Sequence, residues 1–357
     1  MPNLVLFFYV ESMTSLKKVF TLLMCSGLFF SARAAIHTPA AEARNVEKSD
    51  FFAKNVKSEK NTEAWTYQFV FDNGTRAYIN FATIVIPTSG KKIGCDISFV
   101  GFKGKNPNIG RQYPLERIRE FKDQNKISIK DEYILEGLPG KGHRVLFSAN
   151  KEDFGKFLLD VTFTSANKGK VPGNGNWKIG NGHYGAAVLI PYGRVKGKIA
   201  FNNDTLEVKG YGYLEHTWQS GNPTDLAARA FNISEATRGA YAGRIALDED
   251  GSPFGYIIEK KGDKSNILLP KAILENGKPY KGSKFPTGPL QITWQNAEDT
   301  LTLDMSKPRQ KFSMLENFDG WLAKKATKVM LGGEIFFWRG RSKNPDGYVY
   351  DWSITGF

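Results

Sequence analysis

Period-two alternation, broken at short intervals by turn residues, is the feature that most limits what this 357-residue chain can fold into. The segment TYQFVFDNGTRAYINFATIVI, residues 66–86, shows it most plainly. Tyr67, Phe69 and Phe71 alternate, Asp72-Asn73-Gly74 turns, and Tyr78, Asn80 and Ala82 continue. Successive side chains of a strand point to opposite faces, and an Asn-Gly pair supplies the positive φ that a tight hairpin needs. KISIKDEYILEGL, HRVLFSAN, KFLLDVTFTSA, GRVKGKIAFNN and TLEVKGYGYLEH repeat the pattern. Later hairpins turn at Asp250-Gly251, near Ala297 to Asp299, and at Asn344-Pro345-Asp346-Gly347. Helical periodicity is scarce; Gln112 to Asp123 and Leu315 to Lys328 are the best short candidates.

Many antiparallel strands at short spacing imply an all-β sandwich or barrel. Two halves, each with about eight strands, predict two tandem antiparallel β-barrels with a few short helices. The expected boundaries are a loose leader over 35–50, one barrel over 51–219 and a second over 220–357. The joint is expected near Gln219-Ser220-Gly221-Asn222-Pro223.

The N-terminus reads differently. MTSLKKVFTLLMCSGLFFSARA, beginning at Met13, has a lysine pair, an apolar stretch from Val19 to Phe30 and a small-x-small site at Ala32-Arg33-Ala34. That is the pattern of a secretory signal over residues 1–34, with Met13 a candidate start, and it predicts an exported, periplasmic, outer-envelope or secreted protein. Cys25 would leave with the signal, so Cys95 would have no partner for an internal disulfide. The formal charge of +13 is spread along the chain, with no dense basic run or recognition helix. It argues against nucleic-acid binding and admits only peripheral contact with an anionic membrane surface. The oligomeric state is not legible.

Several motifs carry no chemistry. Gly180-Asn181-Gly182-His183-Tyr184-Gly185 fits G-x-G-x-x-G but opens no helix, so it reads as a glycine-rich loop. His37, His143, His183 and His216 are far apart, and no cluster suggests a metal. Asn73, Asn203 and Asn232 begin N-x-S/T triplets.

GYGYLEHTWQ, residues 210–219, concentrates two tyrosines, a glutamate, a histidine and a tryptophan. In a regular strand Tyr211, Tyr213, Glu215 and Thr217 share one face, and Leu214, His216 and Trp218 the other. Glu215 and His216 could share a pocket only where the strand ends or bulges, or where it lies between two barrels.

This stretch resembles the G-x-G-Y-x-(Asp)-H-x-W motif of the carotenoid 1,2-hydratase family, which includes lipocalin-like relatives, fungal survival-factor proteins and some fungal pericyclases. The ending FFWRGRSKNPDGYVYDWSITGF is similar to that family's terminal Trp-Glu-Gly strand and Gly-Tyr hairpin, through Trp338, Gly340, Gly347, Tyr348 and Gly356. Glu215 stands where the family usually has Asp, Gln219 where it usually has Gly, and Arg339 where it has Glu. The resemblance implies two lipocalin-like barrels around an oily chamber, with the Glu-His-Trp segment where they meet. It implies an apolar, isoprenoid- or lipid-like small-molecule ligand. As an enzyme, the protein would hydrate or cyclise that ligand. Glu215 would be the acid and His216 would direct water. Tyr211, Tyr213 and Trp218 would stabilise a cation, and Trp338 and Tyr348 would extend the ligand wall. That chemistry needs no metal or organic cofactor. A non-catalytic lipid carrier and a purely structural barrel remain open beside it.

Overall fold

The computed structural model describes residues 39, 42–54, 61–86, 90–140, 142–220, 226–235, 239–279, 286–317, 321–330 and 333–356. The signal segment and positions 221–223 of the expected joint lie outside them. The first lobe comprises β1 (Ala43–Asn45), β2 (Asn61–Phe71), β3 (Arg76–Ile86), β4 (Gly90–Val100), β5 (Asn108–Pro114), β6 (Ile118–Phe121), β7 (Lys126–Ile129), β8 (Tyr133–Glu136), β9 (Arg144–Lys151), β10 (Gly155–Ala166), β11 (Lys170–Pro172), β12 (Asn176–Ile179), β13 (Gly182–Phe201) and β14 (Asp204–Ser220). The second comprises β15 (Arg229–Glu235), β16 (Tyr241–Leu247), β17 (Pro253–Lys261), β18 (Lys264–Leu268), β19 (Pro270–Glu275), β20 (Lys278–Pro279), β21 (Pro286–Thr287), β22 (Pro289–Trp294), β23 (Thr300–Asp304), β24 (Gln310–Ser313), β25 (Phe336–Lys343) and β26 (Val349–Gly356). The α-helices are α1 (Lys48–Phe51) and α2 (Trp321–Met330). The fold is all-β and lipocalin-like.

The first lobe is one 14-stranded antiparallel sheet with the path β5-β4-β3-β2-β14-β13-β10-β9-β8-β7-β6. Its two edges, β5 and β6, are consecutive and joined by a single 3-10 turn, Leu115–Arg117. Tyr113 of β5 bridges to β8, its hydroxyl 3.0 Å from that of Tyr133. The sheet therefore curls on itself, which removes the open edge that would otherwise invite aggregation. The inward positions are aromatic. Trp65, Tyr67, Phe69 and Phe71 of β2 alternate inward and are at most 2% exposed. They meet Phe81, Tyr133, Phe147 and Phe163, with Tyr133 and Phe147 ring centres 4.8 Å apart. Each such ring contributes about 1.5–3 kcal/mol by leaving water. Gly212 of β14 is needed here, because a Cβ would sit 2.7 Å from Phe69 and 2.9 Å from Phe163. Pro191 falls where the β13–β14 register shifts, between Ile190 and Gly193, so the missing N–H interrupts no regular ladder.

The second lobe has a seven-stranded sheet, β18-β17-β16-β15-β26-β25-β24, and a three-stranded sheet, β19-β22-β23. Leu290, Ile292, Trp294, Leu301 and Leu303 of the small sheet pack with Phe231, Ile245, Trp338 and Trp352 of the large one. Both lobes place their last strand beside their first long one: β14 pairs with β2, and β26 with β15.

Two expectations are corrected. Gln112 to Asp123 is not helical; it is the end of β5, a 3-10 turn and β6. Pro114 lacks the N–H a helix interior requires, and Ile118 pairs with Ile129 across β7. Nor is the segment before residue 50 loose throughout: Asp50 of α1 is 1% exposed and ion-paired to Arg44 at 2.6 Å. The other helical candidate is a 3-10 turn over Met314–Asn317 followed by α2.

Candidate functional site

The lobes meet along the outer faces of their sheets. Thr66, Gln68, Tyr78, Asn80, Glu215 and Thr217 alternate away from the first core, while Asn232, Arg244, Arg339, Asp351 and Ser353 alternate away from the second. A cavity of about 200 Å³ lies between these faces. Its walls include Thr66, Gln68, Asn80 and Asp96 from the first lobe and Asn232, Arg244, Phe337, Arg339 and Ile354 from the second. Ala64, Ala82, Ala227 and Ala230 add apolar surface.

Two cavity side chains hold buried atoms without a hydrogen-bond partner among the described residues: Gln68 Oε1 and Asn232 Nδ2. The orientation of Asn232 follows from its other end. Gln68 Nε2 donates to Ser353 Oγ at 3.0 Å, and Asn232 Oδ1 accepts from Arg244 Nη1 at 2.9 Å. A guanidinium can only donate, so Asn232 must turn its NH2 elsewhere. The wall thus offers a spare donor on Asn232 and a second spare polar end on the Gln68 amide. Such atoms are costly to leave empty-handed, which favours an occupant that carries oxygen.

Charge is distributed unevenly around the cavity. Arg244 Nη1 is 2.9 Å from Glu215 Oε1, and its Nε donates to the Tyr184 hydroxyl at 2.5 Å. Burial opposes the Arg244 charge, but Tyr184 and Glu215 more than offset it and its pKa is raised. Tyr213 donates to Glu215 Oε2 at 2.8 Å, and burial pushes its phenol pKa well up. Asp96, half-buried on the wall, is raised to about 6 by burial, against the opposing pull of Arg339 and Asn80. Arg339 is lowered to about 10 by burial.

The residues singled out in the sequence take several places. Glu215 is fully buried at the lobe boundary, where it holds Arg244. His216 points the other way, into the end of the first barrel. Its Nδ1–H donates to the Asp50 carbonyl at 2.8 Å, its Nε2 is 3.1 Å from Glu63 Oε2, and its ring stacks on Trp65 at 4.6 Å. Trp218 lies beside it, its Nε1 donating to Asn176 Oδ1 at 2.8 Å. Tyr211 donates to Asp351 Oδ2 across the boundary at 3.0 Å. Trp338 is buried in the second core, and Tyr348 packs against that core. None of these seven lines the cavity, although Glu215 reaches it through Arg244. The alternation in GYGYLEHTWQ separates Glu215 from His216, and no bulge brings them together.

Sequence reasoning missed Gln68, Asp96, Asn232 and Arg244. Arg339 was visible only as a departure from a family pattern. The signal for the others was weak: each is a polar residue on the outer face of a strand, where water is the ordinary neighbour. Asn232 is 3% exposed, so its N-x-S triplet is no surface acceptor for a sugar. Of the glycine-rich loop expected over Gly180 to Gly185, only 180–181 is a turn; Gly182 to Gly185 pair with β12 as the start of β13.

No protein-family model and no curated protein matches the sequence. Solved structures do match in fold. One is a protein from Nitrosomonas europaea named as an AttH, 14% identical, with a TM-score of 0.59 over 90% of this chain and 99% of that one. Another is kievitone hydratase from Nectria haematococca, 10% identical, with a TM-score of 0.51 over 89% of this chain and 94% of that one.

Proposed function

We propose that this protein binds an apolar, isoprenoid- or lipid-like small molecule carrying oxygen, and that the cavity between the lobes is the binding site. The observation that carries the reading is the pair of orphaned polar atoms, Gln68 Oε1 and Asn232 Nδ2, in a wall of polar and charged residues whose exposed surface is mostly apolar. Pockets for small molecules combine apolar surface with a few placed polar groups, and they favour domain boundaries. Export to the periplasm or cell exterior belongs to the same reading and rests on the pattern of residues 1–34. The test is solvent extraction of the purified full-length protein followed by mass spectrometry, with incubation against a panel of isoprenoids and lipids. A bound oxygenated apolar compound is the expected result. An empty protein that takes up none of the panel would overturn the reading.

A second reading makes the bound molecule a substrate. Asp96, with a pKa of about 6 on the cavity wall, is suited to general acid–base work. In a hydration, its proton would add to one alkene carbon, a water oxygen to the other, and the water's proton would return to Asp96. Likeness in fold to a protein named a hydratase admits this chemistry without supplying it. Asp96→Asn is then expected to abolish turnover while ligand uptake persists. Retained turnover in that variant would exclude Asp96 as the acid.

A further inference from the structure

Four arginines at the lobe boundary are not in the same state. Arg76 and Arg341 share Asp351, at 2.9 and 2.7 Å, and Arg244 holds Glu215 at 2.9 Å. Arg339 is 6% exposed and feels the charge of Asp96, yet no ion pair within 4 Å holds it among the described residues. Its Nη1 donates to the neutral Gln310 Oε1 at 3.0 Å, and its guanidinium rests 4.2 Å from the Tyr78 ring centre and 4.9 Å from that of Phe312. The rings offset part of the cost of burying a cation. They leave most of its five N–H donors unused, and a buried charge without a hydrogen-bonded partner is a costly state. The three neighbouring arginines show that this fold otherwise provides a counter-ion.

We propose that the molecule in the interlobe cavity is an amphiphile whose head is a carboxylate, seated on Arg339. This rests on the cavity being a ligand site. A carboxylate matches the planar fork of a guanidinium and brings Arg339 the direct ion pair that its three neighbours have. A dianionic phosphate would leave one charge uncompensated beside Asp96. The cavity's 200 Å³, roughly seven waters' worth of liquid, suits a short or medium apolar body.

Asp96 gives the site a second property. Arg339 is the charged side chain that acts on it; Asn80 of β3 hydrogen-bonds it, and its partner across β5 is Gly110, which has no side chain. Ionised, Asp96 repels an incoming carboxylate. Protonated, it donates a hydrogen bond to one. Binding therefore takes up a proton and tightens as the pH falls toward 6.

Octanoate and octan-1-ol separate these ideas, titrated calorimetrically into the full-length protein. The acid is expected to bind at least tenfold tighter than the alcohol, and tighter at pH 6 than at pH 8. Arg339→Gln should weaken octanoate at least tenfold and leave octan-1-ol within twofold; Arg339→Lys, which keeps the cation, should recover most of the loss. Asp96→Asn should flatten the pH dependence. Equal affinities for acid and alcohol in the unaltered protein would overturn the carboxylate head and leave the cavity reading standing. Failure of both compounds to bind would overturn the cavity reading and this inference with it. The acid–alcohol comparison needs no variant, so it holds even if Arg339→Gln fails to fold.

Discussion

The inside of the first barrel and the cleft outside it are lined by faces of the same strands, β2, β3 and β14, yet they are built on opposite terms. Inside, Trp65, Tyr67, Phe69 and Phe81 fill the space, and the two polar rings among them are fixed at both ends. His143 Nδ1–H donates to the Gly137 carbonyl at 2.6 Å, and its Nε2 accepts from the Tyr67 hydroxyl at 2.9 Å. His216 is held as firmly, by Asp50 and Glu63. Outside, among the described residues, Gln68 and Asn232 keep atoms unpaired, and Arg339 has Asp96 near it but no direct ion pair within 4 Å. Between these two faces, incomplete satisfaction marks the cleft, not the ring-dense interior, as the place to test for binding.

The sharpest way to break this contrast is to open the barrel. Trp65→Ala should cost about 3–5 kcal/mol of stability, read as a lower urea midpoint, because the rigid surroundings cannot close over the lost ring. If the variant unfolds at the same urea concentration as the parent, the barrel is not the dry, filled body described above. The next effect is acid lability. Burial lowers the His143 pKa to about 4, while the Gly137 carbonyl opposes it weakly. The unfolded chain takes up the proton near pH 6.5 and the folded protein resists until about 4, so stability falls between those values. The loss is of order 3 kcal/mol from this group, and His143→Gln should remove that part of the slope. An unchanged slope in denaturation series at several pH values would refute it. The smallest effect belongs to the cleft. Gln68→Met exchanges one hydrogen bond and one orphaned oxygen for apolar surface, so stability should move by less than about 1 kcal/mol. On the proposed reading of the cleft as a ligand site, uptake of an oxygenated apolar compound should nonetheless weaken. A large loss of stability here would make Gln68 a structural prop.

The sequence disclosed one side of this contrast well. The turns at Asp72-Asn73-Gly74 and Asn344 to Gly347 fall between β2 and β3 and between β25 and β26, because turn chemistry is local and glycine at positive φ marks it. Alternation likewise put Tyr67, Phe69 and Phe71 on one face, and that face is the buried one. It also put Glu215 and His216 on opposite faces, as they are. The cleft was not legible, because alternation says which way a side chain points but not what covers it. Asp96 and Arg339 meet only after two sheets have packed back to back. Gln112 to Asp123 misled for a related reason: a helical spacing of Ile118 and its neighbours gave way to ladder bonds with β7, a tertiary partner no local pattern contains.

The hydrogen bonds that cross between the lobes have an implication for how this chain can be cut. Arg76 reaches Asp351, Gln68 reaches Ser353, Arg244 reaches Glu215, and the Tyr256 hydroxyl takes the Val188 amide while donating to the Lys170 carbonyl. Severed after β14, either half would present bare ionic groups and stripped backbone where its sibling had stood. The halves differ in build, one 14-stranded sheet against sheets of seven and three strands, and graft or truncation at that seam should yield insoluble fragments.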